Sequence, residues 1–322
     1  MEHVDRPPLP LRIRRTAASV AGAPAVIEVL GLGGVLAQPG GRTLRAARAP
    51  GTAVARAWTW DAADRWSRVW WPQGVALGEH HGAPVALVSW FAQERRGIRR
   101  GARVSVVDLR DARRPRYRHV LLVAIGADGA LETVPIHAGG IAWLPGADGG
   151  LLYAAATFGG IREFRLADLA RAHGPFEHGL VLPQSAELIA QGERHERLRY
   201  SFVSAVEGAR ELVAGEYRPD DRGRIARLRV GEEHAEIVDV VTPGIAAMQG
   251  VALRDGMWSV SSGNGPNARG DLWHGPRDAL VRRAGALPPG PEDLALDARG
   301  RLWGASEFPR KRWLYELGLR DD

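Results

Sequence analysis

The chain has 322 residues, 45% of them apolar, with 40 glycines and 21 prolines spread along its length, a composition that suits many short strands and tight turns in one large domain and argues against disorder. Its formal charge is +6 and its isoelectric point is near 10.3, yet Lys311 is the only lysine among 43 basic residues and these are interleaved with 37 acids, so the basicity reads as an arginine-rich solvated surface and no nucleic-acid partner is expected. With no cysteine, disulfides, thiolate metal sites and cysteine nucleophiles are excluded.

Residues 1–50 read as an N-terminal segment, a candidate export signal or partly disordered, ahead of a single domain over 51–322. Arg12-Ile13-Arg14-Arg15 precede a small, apolar stretch from Thr16 to Ala37, the charge order of an export signal. Secretion or the cell envelope is therefore the expected location, with the cytoplasm as the alternative. Glycines, Pro24 and Glu28 interrupt the stretch, and a spanning helix needs roughly 20 apolar residues, so no integral membrane segment is expected. The protein is expected to be a monomer.

From Trp71 onward, alternation and turn residues place the strands. A first unit offers Gln73–Leu77, Pro84–Phe91, Arg103–Leu109 and Tyr117–Ala124, with turns at His80-His81-Gly82 and Gly97–Gly101. A second offers Gly140–Leu144, Leu151–Thr157 and Ile161–Leu166, with Val181-Leu182 in the outer strand. A third offers Tyr200–Val206, Glu211–Tyr217, Arg224–Val230 and Ala235–Val241, and a fourth Gly250–Leu253, Trp258–Ser261, Asp271–His274 and Leu280–Ala284. The fifth has only Asp293–Leu296, Arg301–Ser306 and Trp313–Leu317, so Thr52–Trp60 is assigned as its missing fourth strand. A strand-opening motif recurring at blade-length intervals predicts an all-β fold, a β-propeller of five four-stranded antiparallel blades closed by that N-terminal strand. Short apolar runs over Ala25–Arg45 would allow a sixth.

In such a ring the start of each first strand lies beside the end of the second, so two residue sets share one axial funnel. Gln73, Gln249 and Glu292 fall at matching positions, with Gly139 and Tyr200 at the corresponding places and His137 one step nearer the mouth. The second-strand ends contribute Glu216, Asn264 and Glu307. Glu292 and His137 are the catalytic candidates, as a carboxylate and an imidazole able to trade protons. Gln73, Gln249, Asn264, Glu216 and Glu307 are substrate-binding candidates, with Trp71 and Trp90 as an apolar wall. Oxygen-rich side chains of this kind also suit Ca²⁺, with Glu292 as ligand. Trp143, Trp258 and Trp303 read as core between blades. The chain has no Gly-x-Ser-x-Gly, Walker loop, dinucleotide fingerprint or His-Glu-x-x-His, so no nucleotide, flavin or haem is expected.

Pro291-Glu292-Asp293-Leu294-Ala295, Gly300-Arg301-Leu302-Trp303-Gly304-Ala305-Ser306-Glu307, Trp71-Pro72-Gln73-Gly74, His137–Trp143 and Met248-Gln249-Gly250 together resemble a group of often secreted actinobacterial propeller proteins. The resemblance covers roughly Trp66 to Leu317. More remotely the chain is similar to calcium-dependent lactonases of the gluconolactonase type and to strictosidine-synthase-like propellers. That resemblance implies an axial metal held by glutamate, asparagine and aspartate. Only Glu292 matches in type, and Gln73 and Gln249 stand where shorter ligands would be wanted. The expectation is a hydrolase or lyase acting on a small ester, lactone or natural product. The alternatives are a propeller that binds a small molecule or glycan without turnover, and a protein-interaction scaffold.

Overall fold

A computed structural model describes residues 8–16, 19–93, 100–174, 179–206 and 209–319. The architecture is all-β, with two short helices at Gly31–Ala37 and Ala62–Arg65. No helix among the described residues is long and apolar enough to cross a membrane.

The strands form antiparallel meanders. The first comprises Trp70–His80, Ala83–Ala92, Ala102–Asp108 and Arg116–Ile125. The second comprises Ile141–Leu144, Leu151–Ala155, Gly160–Arg165 and Leu180–Ile189. The third comprises Phe202–Ala205, Glu211–Gly215, Ile225–Val230 and His234–Val241. The fourth comprises Met248–Arg254, Met257–Ser262, Gly270–Pro276 and Val281–Leu287. In the fifth, Pro291–Leu296, Leu302–Ser306 and Trp313–Leu317 are followed in space by Val54–Thr59, whose Thr59 and Ala57 pair with Trp313 and Tyr315.

Val85-Ala86-Leu87-Val88 shows why the second strands are apolar on both faces: all four are fully buried because each meander is covered on both sides, so alternation gives way to a continuous run. Apolar clusters fill the spaces between successive meanders: Leu87 with Trp143, Leu144 with Val203, Val213 with Trp258, and Ala252 with Leu294. The last space, between fifth and first, holds Trp58, Trp303, Trp60 and Trp90. There Trp58 and Trp303 stack with centroids 5.4 Å apart and planes 2° from parallel. The hairpin at His81-Gly82 has φ of 50° and 75°, the left-handed pair that a two-residue turn requires. The turn expected at Gly97–Gly101 falls largely outside the described residues.

The first strands neighbour one another in a closed cycle. Three glycines let them approach. A Cβ on Gly74 would lie 2.6 Å from the Ile141 nitrogen, one on Gly140 2.4 Å from the Val203 nitrogen, and one on Gly250 2.5 Å from the Asp293 Cα. Asp293 holds the matching place in the fifth strand. Its carboxyl accepts hydrogen bonds from Val75 N at 3.4 Å, Ile141 N at 3.1 Å and Ser204 Oγ at 3.1 Å, tying first strands from three other units across the axis.

The described residues of the N-terminal segment add strands and a helix to the outside of the meanders. Leu11–Arg15 pairs with both Leu180–Ile189 and His234–Val241, and Val26–Val29 pairs with Ala170–Ala172. Leu11, Leu32, Val35 and Leu44 are at most 1% exposed. Leu11 and Ile13 turn inward while Arg12 and Arg14 face solvent, the period of a strand. The apolar runs over Ala25–Arg45 are spent on this edge ribbon, the Gly31–Ala37 helix and short pairings of Arg42-Thr43 and Arg45-Ala46.

Candidate active site

At the end of the ring where the first strands begin, a cavity of about 460 Å³ opens to solvent. Gln73, Gly139, Ser201, Gln249 and Glu292, one in or just before each first strand, line it together with His137 and Glu307. The fifth meander supplies both carboxyls, and its neighbours on either side supply a glutamine to each. Gln73 Nε2 donates to Glu307 Oε2 at 3.2 Å and to the Pro72 carbonyl at 2.9 Å. Gln249 Nε2 donates to Glu292 Oε1 at 3.3 Å.

Both carboxyls are held above their ordinary range. For Glu292, 3% exposed, desolvation dominates, and the nearby charges of Glu307 and Asp293 add to it. Burial raises Glu307 to about 7, opposed by the Gln73 hydrogen bond and the Arg312 charge. His137 is lowered to about 4 by desolvation. Its ring is solvent-accessible but lies in a concave wall against Phe91, with centroids 4.2 Å apart, and the surrounding protein disfavours the imidazolium. Desolvation thus favours the neutral form of all three groups and leaves Glu307 poised near neutrality between its two forms.

The remaining sequence candidates separate by environment. Trp71 is half-buried, edge-on to Phe308 at 6.0 Å, and does not line the cavity. Trp90 is fully buried and donates its indole N–H to Ser105 Oγ at 2.8 Å, so it has no surface to offer a ligand. Glu216 is consumed structurally: the backbone nitrogens of Arg199 and Arg224 and the Arg224 guanidinium all donate to it, at 3.0–3.1 Å. Asn264 is exposed and donates to the Arg269 carbonyl at 2.9 Å, bracing its own loop. Tyr200 is 1% exposed; Ser201, one residue later, holds the axial place assigned to it.

No known protein family matches the chain, and no curated protein matches it. Solved structures with a similar chain path include a gluconolactonase from Xanthomonas campestris, 15% identical over 87% of this chain and 88% of that one with a TM-score of 0.43. The glutaminyl cyclase of Myxococcus xanthus is 13% identical over 80% and 97%, with a TM-score of 0.43. The Dos1 propeller is 11% identical over 86% and 76%, with a TM-score of 0.37. At these values the likeness transfers no activity to this chain.

Ca²⁺ takes six to eight oxygen ligands. No three His, Asp or Glu side chains gather into a metal-holding group among the described residues. The funnel's carboxyls number two, burial opposes the ionisation of both, the two amides are already turned toward them, and the rest of the lining is the neutral His137, Thr157, Ser201 and Tyr217 with the cationic Arg199. This set does not make a cation cage.

Two residues missed in sequence shape the site. Asp293, adjacent to Glu292, is the axial tie described above. Arg312 is fully buried, donates to the Glu307 carbonyl at 2.7 Å and the Asp64 carbonyl at 2.5 Å, and lies over Trp71 with its guanidinium carbon 5.4 Å from the ring centroid. It fixes the backbone that carries Glu307. A second polar cluster has the residue types of a hydrolytic triad: Ser105 Oγ lies 2.9 Å from His119 Nδ1, and His119 Nε2 2.9 Å from Asp64 Oδ2. All three are at most 3% exposed, and Asp64 also accepts from Arg42, Arg103 and Tyr117. With no path for a substrate, the cluster is a structural clamp.

Proposed function

We propose that the chain is a five-bladed β-propeller, closed by Val54–Thr59, and a hydrolase that opens a small, neutral ester or lactone in its axial funnel. The observation that carries this reading is the carboxyl pair. Like charges in a desolvated site do not both ionise, so at neutral pH one group gives a proton while the other takes one. In the reaction, the Glu307 carboxylate removes a proton from water as its oxygen bonds to the substrate carbonyl carbon. Glu292 donates its proton to the departing alkoxide oxygen as the acyl–oxygen bond breaks. The products are an acid and an alcohol, joined in one molecule when a lactone opens. Gln73 and Gln249 hold the two carboxyls in place, and neutral His137 offers a hydrogen bond to the substrate at the mouth.

The test is a panel of chromogenic esters and lactones assayed across pH. Turnover is expected to change through an apparent pKa near 7, and Glu292→Gln and Glu307→Gln are each expected to lower kcat at least 100-fold with the thermal melt preserved. Unchanged turnover in both variants would refute the assignment. Saturable Ca²⁺ binding by calorimetry, abolished in Glu292→Gln, would instead put a cation on the pair. The ring of Phe91 against His137, 4.2 Å between centroids, favours a second reading, binding of a flat ligand or glycan without turnover. Retained affinity with no product across the panel selects it.

A further inference from the structure

At the opposite end of the same first strands lies a second cavity of about 1160 Å³, above the usual ~300–1,000 Å³ of small-molecule pockets. The Asp293 tie separates it from the funnel: with a strand rise of ~3.3 Å per residue, Leu296 on its wall lies about 13 Å along the chain from Glu292.

The hollow is built by every first strand. Ala76, Ala142, Ser204, Ala252 and Ala295 occupy matching positions three residues beyond Gln73, Gly139, Ser201, Gln249 and Glu292, and all five line the chamber. Close-packed interiors fill such a level with larger side chains; here small residues leave it open. Trp143 forms one wall. Its indole N–H donates to the Gly149 carbonyl at 2.7 Å, and it lies so close to Gly78 that a Cβ there would come within 2.6 Å of the ring. The other wall comes from outside the meanders, from residues 29–33 of the N-terminal segment, with Leu32 packed into the same apolar cluster as Trp143. The floor carries no charged side chain, and the one hydroxyl in it, on Ser204, is committed to Asp293. Away from that floor the lining includes Glu79, Arg210 and Asp297 together with His80 and His81, whose rings lie 4.2 Å apart.

We propose that this chamber binds a neutral, mainly apolar small molecule with one hydrogen-bonding end, its body on the alanine floor against Trp143 and its polar end at His80 and His81. A charge seated on the alanine floor is disfavoured because it would be desolvated there with no partner.

The test is titration of the full chain with N-phenyl-1-naphthylamine, a neutral apolar fluorophore, following its emission. Saturable binding at one site per chain is expected. Ala295→Phe, which fills the hollow, and Leu77→Glu, which puts a charge on its wall, should each weaken binding at least tenfold, while Glu292→Gln in the funnel should leave it unchanged. The two chamber variants are independent, so either one that keeps the wild-type melt decides. Undiminished binding in a folded chamber variant overturns the proposal, as does loss in Glu292→Gln, which would place the probe in the funnel. Absence of saturable binding to the wild type overturns it outright.

Discussion

Asp64 and the Glu292–Glu307 pair are both carboxyl groups withdrawn from water, and they respond in opposite ways. For each the largest single influence is desolvation, which favours the neutral acid. At Asp64 that push is overcome by the His119 hydrogen bond and charge and by Arg103, so its pKa falls well below the carboxylate range. At Glu292 the neighbouring charges are Glu307 and Asp293, which add to desolvation. Burial sets the stake and the partners decide the sign. The saturated cluster is structural, and the under-compensated one keeps protons that can be moved.

The sharpest way to break this comparison is Asp64→Ala. Removing the acid leaves Arg103 and His119 buried without it, and a loss of about 3–5 kcal/mol is expected in urea unfolding. A loss below about 1 kcal/mol would mean that the clamp is dispensable. Asp293 comes next. Burial raises its pKa above the ordinary value against hydrogen bonds from Ile141, Leu294, Ser204 and Val75. Asp293→Ala should cost about 2–4 kcal/mol by stranding the nitrogens of Val75 and Ile141, and Asp293→Asn only about 1; equal losses would mean that an amide oxygen cannot take over those hydrogen bonds. The smallest effect is a pH slope. With a folded pKa of about 7 against 4.5 unfolded, Glu307 contributes stability that is complete below about pH 4.5 and lost as pH rises to about 7. Discounted for the solvent reaching the funnel, this is about 1–2 kcal/mol. Asp64, depressed when folded, loses its contribution as pH falls below its unfolded value. Glu307→Gln should therefore flatten the pH 5–7 limb and leave the acid limb intact, as read from unfolding midpoints across pH.

Much of this was legible in the sequence because the repeat is local. Gln-Gly followed by Val-Ala marks the first strands of two units, and Thr52–Trp60 reads as a strand, of which Val54–Thr59 pairs with Trp313–Leu317. The axial place was misread in the third unit, where Phe202 stands in the glycine position and the marker is lost; Tyr200, held at a φ of 50°, sits one residue outside the funnel. Asp293 was placed at the start of a strand, and only the assembled first strands show its carboxyl reaching three others. Asp64 and His119 lie 55 residues apart, a separation no local pattern bridges. Leu11–Arg15 alternates as a strand does while its arginines carry the charge order of an export signal, two patterns that one short stretch can hold together.

The pairing of Thr59 with Trp313 joins residues separated by most of the chain. Each added non-local pairing slows folding, because the entropy of closing the intervening loop is spent before the contact repays it. During synthesis Val54–Thr59 emerges early and waits with one edge unmatched until Leu317 has left the ribosome. For that interval the nascent chain presents a strand rich in alanine and tryptophan to any other extended segment. The wait for this late pairing is thus also the chain's period of greatest exposure to misassembly, and the tempo of translation enters the yield of correctly paired protein.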